Sequence, residues 1–183
     1  MNILVGYASV HGSTAEVAEF IGRLLRAYEA NVTVSALNDV QDCSNYDLFV
    51  IGSAIHASMW LQEMSLFLER CADALKSHPT HMFITCIRVL EADGLQHSLE
   101  YYVHQPTLDK LGIDNIGVFA GKLDVDEIDW NERWMLASNY DGTESSKHIN
   151  HDYRDWQGIA NWTHQIAKSL ELKPTFEQAK RTE

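Results

Sequence analysis

The sequence predicts an α/β protein: one doubly wound, five-stranded parallel sheet with helices on both faces. Three observations carry that reading. Five short apolar runs alternate with four or five stretches of helical periodicity, the pattern of a parallel sheet covered on both sides. The run Leu48-Phe49-Val50-Ile51-Gly52 is apolar throughout, as strands buried on both faces are. The first run passes through a hydroxyl-bearing loop, Ser9-Val10-His11-Gly12-Ser13-Thr14, directly into a helix. At 183 residues the chain fits one domain over 1–172, with a charged tail over 173–183.

Taken in order, residues 2–8 read as strand one and 14–29 as helix one, with Val17, Ala18, Ile21, Leu24 and Leu25 on one face. Residues 31–37 alternate apolar and polar, which predicts a half-exposed edge strand. After the buried strand at 48–52, a second loop over 53–58 leads into one helix over 59–75. Strand four is 81–86, followed by a loop or helix entry at 87–94. Residues 95–111 look helical, with a kink or break before Pro106. Strand five is 115–121 and the last amphipathic helix 155–170. The stretch 122–152 is acidic, rich in Trp, Tyr and His, and weakly periodic. No repeat or low-complexity tract is visible.

Composition narrows the function. The formal charge is −12 and no Lys/Arg cluster is present, so a nucleic-acid binder is excluded and an anionic membrane surface repels the chain. No apolar run reaches the ~18 residues of a membrane span, and no leader pattern is seen; a cytoplasmic protein is expected. Cys43, Cys71 and Cys86 are odd in number and form no C-x-x-C pair, which argues against a disulfide framework. His148, His151 and Asp152 have weak spacing for a metal site, so none is assigned.

The loop after strand one is an anion site by construction. Free amides and the positive end of a helix dipole meet there. Ser9, Ser13 and Thr14 add donors, and Gly12 admits close approach of a ligand. An ordinary capping box, Ser13-x-x-Glu16, is the plainer reading of the same residues. A single glycine rules out a dinucleotide fingerprint, and Ser13 stands where a Walker loop needs Lys. Three hydroxyls without a basic residue suit a terminal phosphate monoester.

Several stretches together resemble a known family. The segment 9–18, SVHGSTAEVA, is similar to the phosphate loop of flavodoxin-like proteins. YDLFVIGSAI (46–55), VFAGKL (118–123), and YRDW with IANW (153–156, 159–162) resemble the menaquinone-dependent protoporphyrinogen oxidase branch of that fold. The resemblance spans about 1–171. It implies FMN as cofactor, a flavodoxin-like sheet of order 2-1-3-4-5, and oxidoreduction at a non-covalent flavin. The alternative is a flavodoxin-type electron carrier with no organic substrate of its own. Partners on these readings are a redox protein, a quinone or a porphyrinogen. The oxidase branch is basic and apolar between its last strand and last helix; here Asp124, Asp126, Glu127, Asp129 and Glu132 stand instead.

On that resemblance, Ser9, Val10, His11, Gly12, Ser13 and Thr14 hold the phosphate. Ser53, Ala54, Ile55, His56, Ala57 and Trp60 border one side of the isoalloxazine ring. Trp60 also suits core packing against the next helix, and His56 is of the side-chain type suited to delivering a proton at the ring's N5. Thr85, Cys86, Ile87, Arg88 and Val89 line the other side, with Cys86 as a small apolar filler and Arg88 either at the pyrimidine edge or on the surface. Trp130, Trp134 and Tyr140 shield the flavin, meet a partner or form a small satellite core.

Overall fold

A computed structural model describes residues 1–123 and 151–175. The acidic run from Asp124 to Glu132, with Trp130, Trp134, Tyr140, His148 and residues 176–183, lies outside the described residues.

The elements run β1 (Asn2–Ala8), α1 (Ser13–Leu25), β2 (Asn31–Ala36), β3 (Leu48–His56), β4 (Met59–Trp60), α2 (Gln62–Arg70), α3 (Ala72–Ser77) and β5 (Thr80–Thr85). A 3-10 turn (Ile87–Leu90) follows, then α4 (Gly94–Tyr101), α5 (Gln105–Leu111), β6 (Ile116–Phe119), β7 (Lys122–Leu123), β8 (His151–Asp152) and α6 (Trp156–Ser169). The central sheet has the order β2-β1-β3-β5-β6, every neighbour parallel, with β4 antiparallel to β3 as a short hairpin arm. Without that arm, the order is the expected 2-1-3-4-5. The chain goes from β1 outward to β2, then back past β1 to β3. Strand order therefore reverses between β1 and β3, and ligands of open α/β sheets bind above such a point.

Side-chain alternation sorts the core into two layers. Ile3 and Val5 of β1 join Val17, Ile21 and Leu25 of α1 and Ile159 and Ile166 of α6. Leu4, Phe49, Ile51, Met82 and Ile84 face Met64, Phe67 and Leu68 of α2, Leu75 of α3, and Leu108 and Leu111 of α5. Each fully buried side chain of this size contributes about 1.5–3 kcal/mol. Gly52 lets the layers close. A Cβ there would stand 2.0 Å from the Phe83 ring. Gly52→Ala is expected to destabilise the fold by roughly 1–3 kcal/mol through overpacking, read as a lower urea midpoint at unchanged slope.

Three expectations need correction. The loop at 53–58 is largely strand: β3 runs on to His56 and turns into β4. Ser53 fixes the base of this hairpin, donating to the Ala54 carbonyl (2.8 Å) and accepting from the Leu61 amide (3.0 Å). The single helix at 59–75 is instead β4, α2 and α3, with the helical break at Cys71. There lies the third correction: Cys71 is disulfide-bonded to Cys43, their Cα atoms 5.9 Å apart. The helix expected over 95–111 splits before Pro106, which sits in the first turn of α5 where its missing N–H costs nothing.

His81 in β5 has both ring nitrogens buried without a hydrogen-bond partner among the described residues. Burial lowers its pKa below 6.5, with Asp114 opposing more weakly. The unfolded chain therefore takes up the proton more readily, so stability is intact above the unfolded value and is lost as pH falls through it toward the folded one. We expect the urea midpoint to drop between about pH 7 and 5, and His81→Gln to flatten that slope.

Candidate functional site

Three loops leave the carboxyl ends of β1, β3 and β5, which are adjacent in the sheet. All residues expected at the site are on these loops or on the strand and helix ends that carry them.

The first loop ends in Gly12, the N-cap of α1, with φ +82°. That left-handed conformation favours glycine, and the space where a Cβ would sit is open to 4 Å. No side chain caps the helix, so the capping box does not form. The first-turn amides of α1 therefore have no partner within the helix and no cap. Ser9 Oγ, in the same loop, is buried and has no hydrogen-bond partner among the described residues. An unsatisfied buried hydroxyl costs about 1–3 kcal/mol, which a ligand oxygen would relieve. Val10 and His11 are exposed at the loop tip. Ser13 Oγ faces the turn after β6: a Cβ on Gly121 would lie 3.2 Å from it. Thr14 is fully buried, its Oγ1 2.7 Å from Thr85 Oγ1, which ties the start of α1 to the end of β5 across β3.

A residue given no role from sequence completes this corner. The Arg154 side chain is only 5% exposed and binds Asp152 through Nε and Nη2, each at 2.7 Å. Its Nη1 donates to Glu16 Oε2 at 2.7 Å, and its guanidinium carbon lies 4.5 Å from the Trp156 ring centre. The Arg154 hydrogen bond, chiefly, lowers the Asp152 carboxyl pKa. Arg154 also pairs with Glu16, the acid in the first turn of α1, and so reduces the repulsion that Glu16 exerts on an anion there. The motif YRDW was visible in the sequence, but its partner Glu16 is 138 residues away.

The second loop is the β3–β4 hairpin. Its tip residues Ala57 and Ser58 have φ of 49° and 63°. Such turns favour Asn-Gly, and holding Ala and Ser there costs roughly 1–2 kcal/mol each. His56, Ala57 and Ser58 are exposed, while Ala54 and Ile55 are half-buried below them. Trp60 turns toward α2, its Nε1 donating to Ser65 Oγ at 2.8 Å, and packs on the core there. The exposed apolar side chain of the hairpin is Met59.

The third loop starts at Cys86, whose thiol is buried, 3.3 Å from Ser98 Oγ. Burial raises its pKa, so it is a packing group. Ile87 and Val89 are half-buried in the 3-10 turn. Arg88 folds back on its own loop: Nη1 bonds Glu91, and Nη2 bonds both carboxylate oxygens of Asp93 at 2.9 and 3.0 Å.

The sequence profile of the flavodoxin domain family matches residues 4–150. The chain belongs to this flavodoxin family. Membership indicates FMN as its cofactor. Solved structures share the fold at low identity. A flavodoxin from the domain Archaea superposes with a TM-score of 0.58 at 14% identity, covering 93% of this chain and 99% of that one. Flavodoxin 1 from Bacillus cereus gives 0.56 at 14%, covering 92% and 98%. The flavodoxin of Streptococcus pneumonia TIGR4 gives 0.58 at 14%, covering 92% and 99%. No curated protein sequence is matched by the chain. The residues of the first loop fit a phosphate-bearing group: it carries an unpartnered buried hydroxyl, open space over Gly12 and uncapped amides. Among the described residues no helix is long and apolar enough to cross a membrane, and no cluster of three or more His, Cys, Asp or Glu is placed to hold a metal ion.

Proposed function

We propose that this protein is an FMN-dependent oxidoreductase that passes electrons through a non-covalent flavin held at the carboxyl edge of the sheet. The observation that carries this is Ser9 Oγ, buried without a partner beside the uncapped start of α1. Ser9, Ser13 and the amides of residues 10–14 hold the phosphate. Thr14 joins them if Thr85 donates in the Thr14–Thr85 bond, because the Thr14 proton is then free for the phosphate. Residues 53–57 border one side of the ring and 85–89 the other; Trp60 supports the hairpin from behind. His56 is the residue proposed to hold a proton near the ring's N5 edge. Bound FMN supplies the electron-transfer chemistry; the protein supplies position, charge environment and access. The resemblance to the protoporphyrinogen oxidase branch points to a quinone or a porphyrinogen as reaction partner.

A carrier without an organic substrate is the second reading, favoured by the formal charge of −12, which suits docking to a basic redox protein. Visible absorption of the purified protein, and of the apoprotein titrated with FMN, tests what both readings share. A colourless protein that takes up no FMN sinks both. With FMN bound, turnover of a porphyrinogen or a quinone selects the oxidoreductase. Electron exchange with a basic redox protein, without such turnover, selects the carrier.

A further inference from the structure

A cavity of about 750 Å³ is lined by the β3–β4 hairpin, α2, α3 and the segment from Tyr101 into α5. It is within the size range of small-molecule sites. None of residues 9–14 or 85–89 lines it. One wall is α2 and α3 with Glu69; the other is α5 and the segment before it; Ser58, Met59 and Trp60 of the hairpin complete the lining. Trp60, Tyr101 and Tyr102 give it aromatic surface, and Met59 and Tyr101, 64% and 62% exposed, stand at the mouth. Ser58 of the hairpin and Tyr102 both line it, and the hairpin tip holds Ala57 and Ser58 at positive φ. Non-glycine left-handed residues concentrate where ligands are clamped.

The two walls differ in charge. On α5, His104, Thr107 and Lys110 recur every three residues and all line the cavity. His104 Nδ1 and Thr107 Oγ1 bond to each other at 2.7 Å, and Lys110 makes no ion pair with a described residue. Lys110 is therefore the cation of the α5 wall, next to the mutually bonded polar pair His104 and Thr107. The facing wall carries one carboxylate, Glu69, with the apolar Leu68 and Ala72. We infer that this cavity binds a flat aromatic monocarboxylate. The acid group meets Lys110, and the ring lies among Trp60, Tyr101 and Tyr102. Glu69 rejects a second carboxylate at the other end, a repulsive element of the kind that sets specificity. The site shares the β3–β4 hairpin with the proposed flavin site but none of residues 9–14 or 85–89.

The test uses 2-naphthoate, 2-naphthalenemethanol and 2,6-naphthalenedicarboxylate against the full chain, with and without FMN, read by calorimetry. 2-Naphthoate saturates the site and binds more tightly than the other two. Lys110→Gln weakens 2-naphthoate roughly tenfold, about 1.4 kcal/mol, and leaves the neutral alcohol unchanged. Glu69→Gln improves the dicarboxylate and not the monocarboxylate. No saturation by 2-naphthoate at millimolar concentration overturns the inference, as does equal weakening of acid and alcohol by Lys110→Gln. FMN uptake without naphthoate binding sinks this inference alone; naphthoate binding without FMN uptake sinks the flavin reading alone.

Discussion

Replacing Ser9 and Ser13 together with alanine is expected to lower FMN affinity by about two to four orders of magnitude, since each removes a hydrogen bond to a charged group worth roughly 1.5–3 kcal/mol. The phosphate is the only part of FMN these hydroxyls reach on the proposed reading, so riboflavin, which lacks it, should bind the variant and the parent alike. Ser9 Oγ is the sharper half of the pair: it is buried and unpartnered among the described residues, so its removal breaks no hydrogen bond seen among them. Thr14→Ala is less informative, because it also severs the bond to Thr85 that joins α1 to β5. Thr14→Ser keeps that bond and serves as the control. Fluorescence titration with both flavins decides. Equal losses for FMN and riboflavin, or none for FMN, would remove the phosphate assignment.

The sheet was legible because its signals are local. Ile3-Leu4-Val5 and Leu48 to Ile51 are buried runs whose neighbours in sequence are also neighbours in space, and the α1 stripe of Val17, Ala18, Ile21 and Leu25 became its buried face. The Gly12 turn was legible for the same reason, although the helix it starts has no capping box. The hairpin at Ala57 and Ser58 was not, because neither residue favours a positive φ; the base of the hairpin at Ser53 and Leu61 holds them there. The partners of Thr14 and Arg154 lie 71 and 138 residues away, beyond any periodicity. Arg88 was an open choice between ring edge and surface, and its hook onto Glu91 and Asp93 fixes the third loop first.

The cysteines show how a correct rule misleads. An odd count argues against a framework in which every cysteine pairs, yet one pair plus one free thiol is also odd. Cys43 and Cys71 are 28 residues apart in sequence, and both side chains sit in the core beneath α2. Arg70, beside Cys71, fastens the same connection by donating Nη2 to the Leu37 and Val40 carbonyls, each at 2.9 Å. Alkylation of the never-reduced, denatured protein should therefore label one thiol, Cys86, and label three after reduction. Closing a loop of this length stabilises by roughly 3.6 kcal/mol through the unfolded chain, which for this size of domain is a Tm loss of about 7–14 °C on reduction or in the Cys43→Ala/Cys71→Ala variant. Because Arg70 and the core contacts of α2 remain, the reduced protein should keep its far-ultraviolet circular dichroism at low temperature. Cys86→Ala should retain most of the reductant-sensitive Tm shift. Three reactive thiols before any reduction, or a Tm indifferent to reductant, would show that the α2–α3 break is held by packing and Arg70 alone.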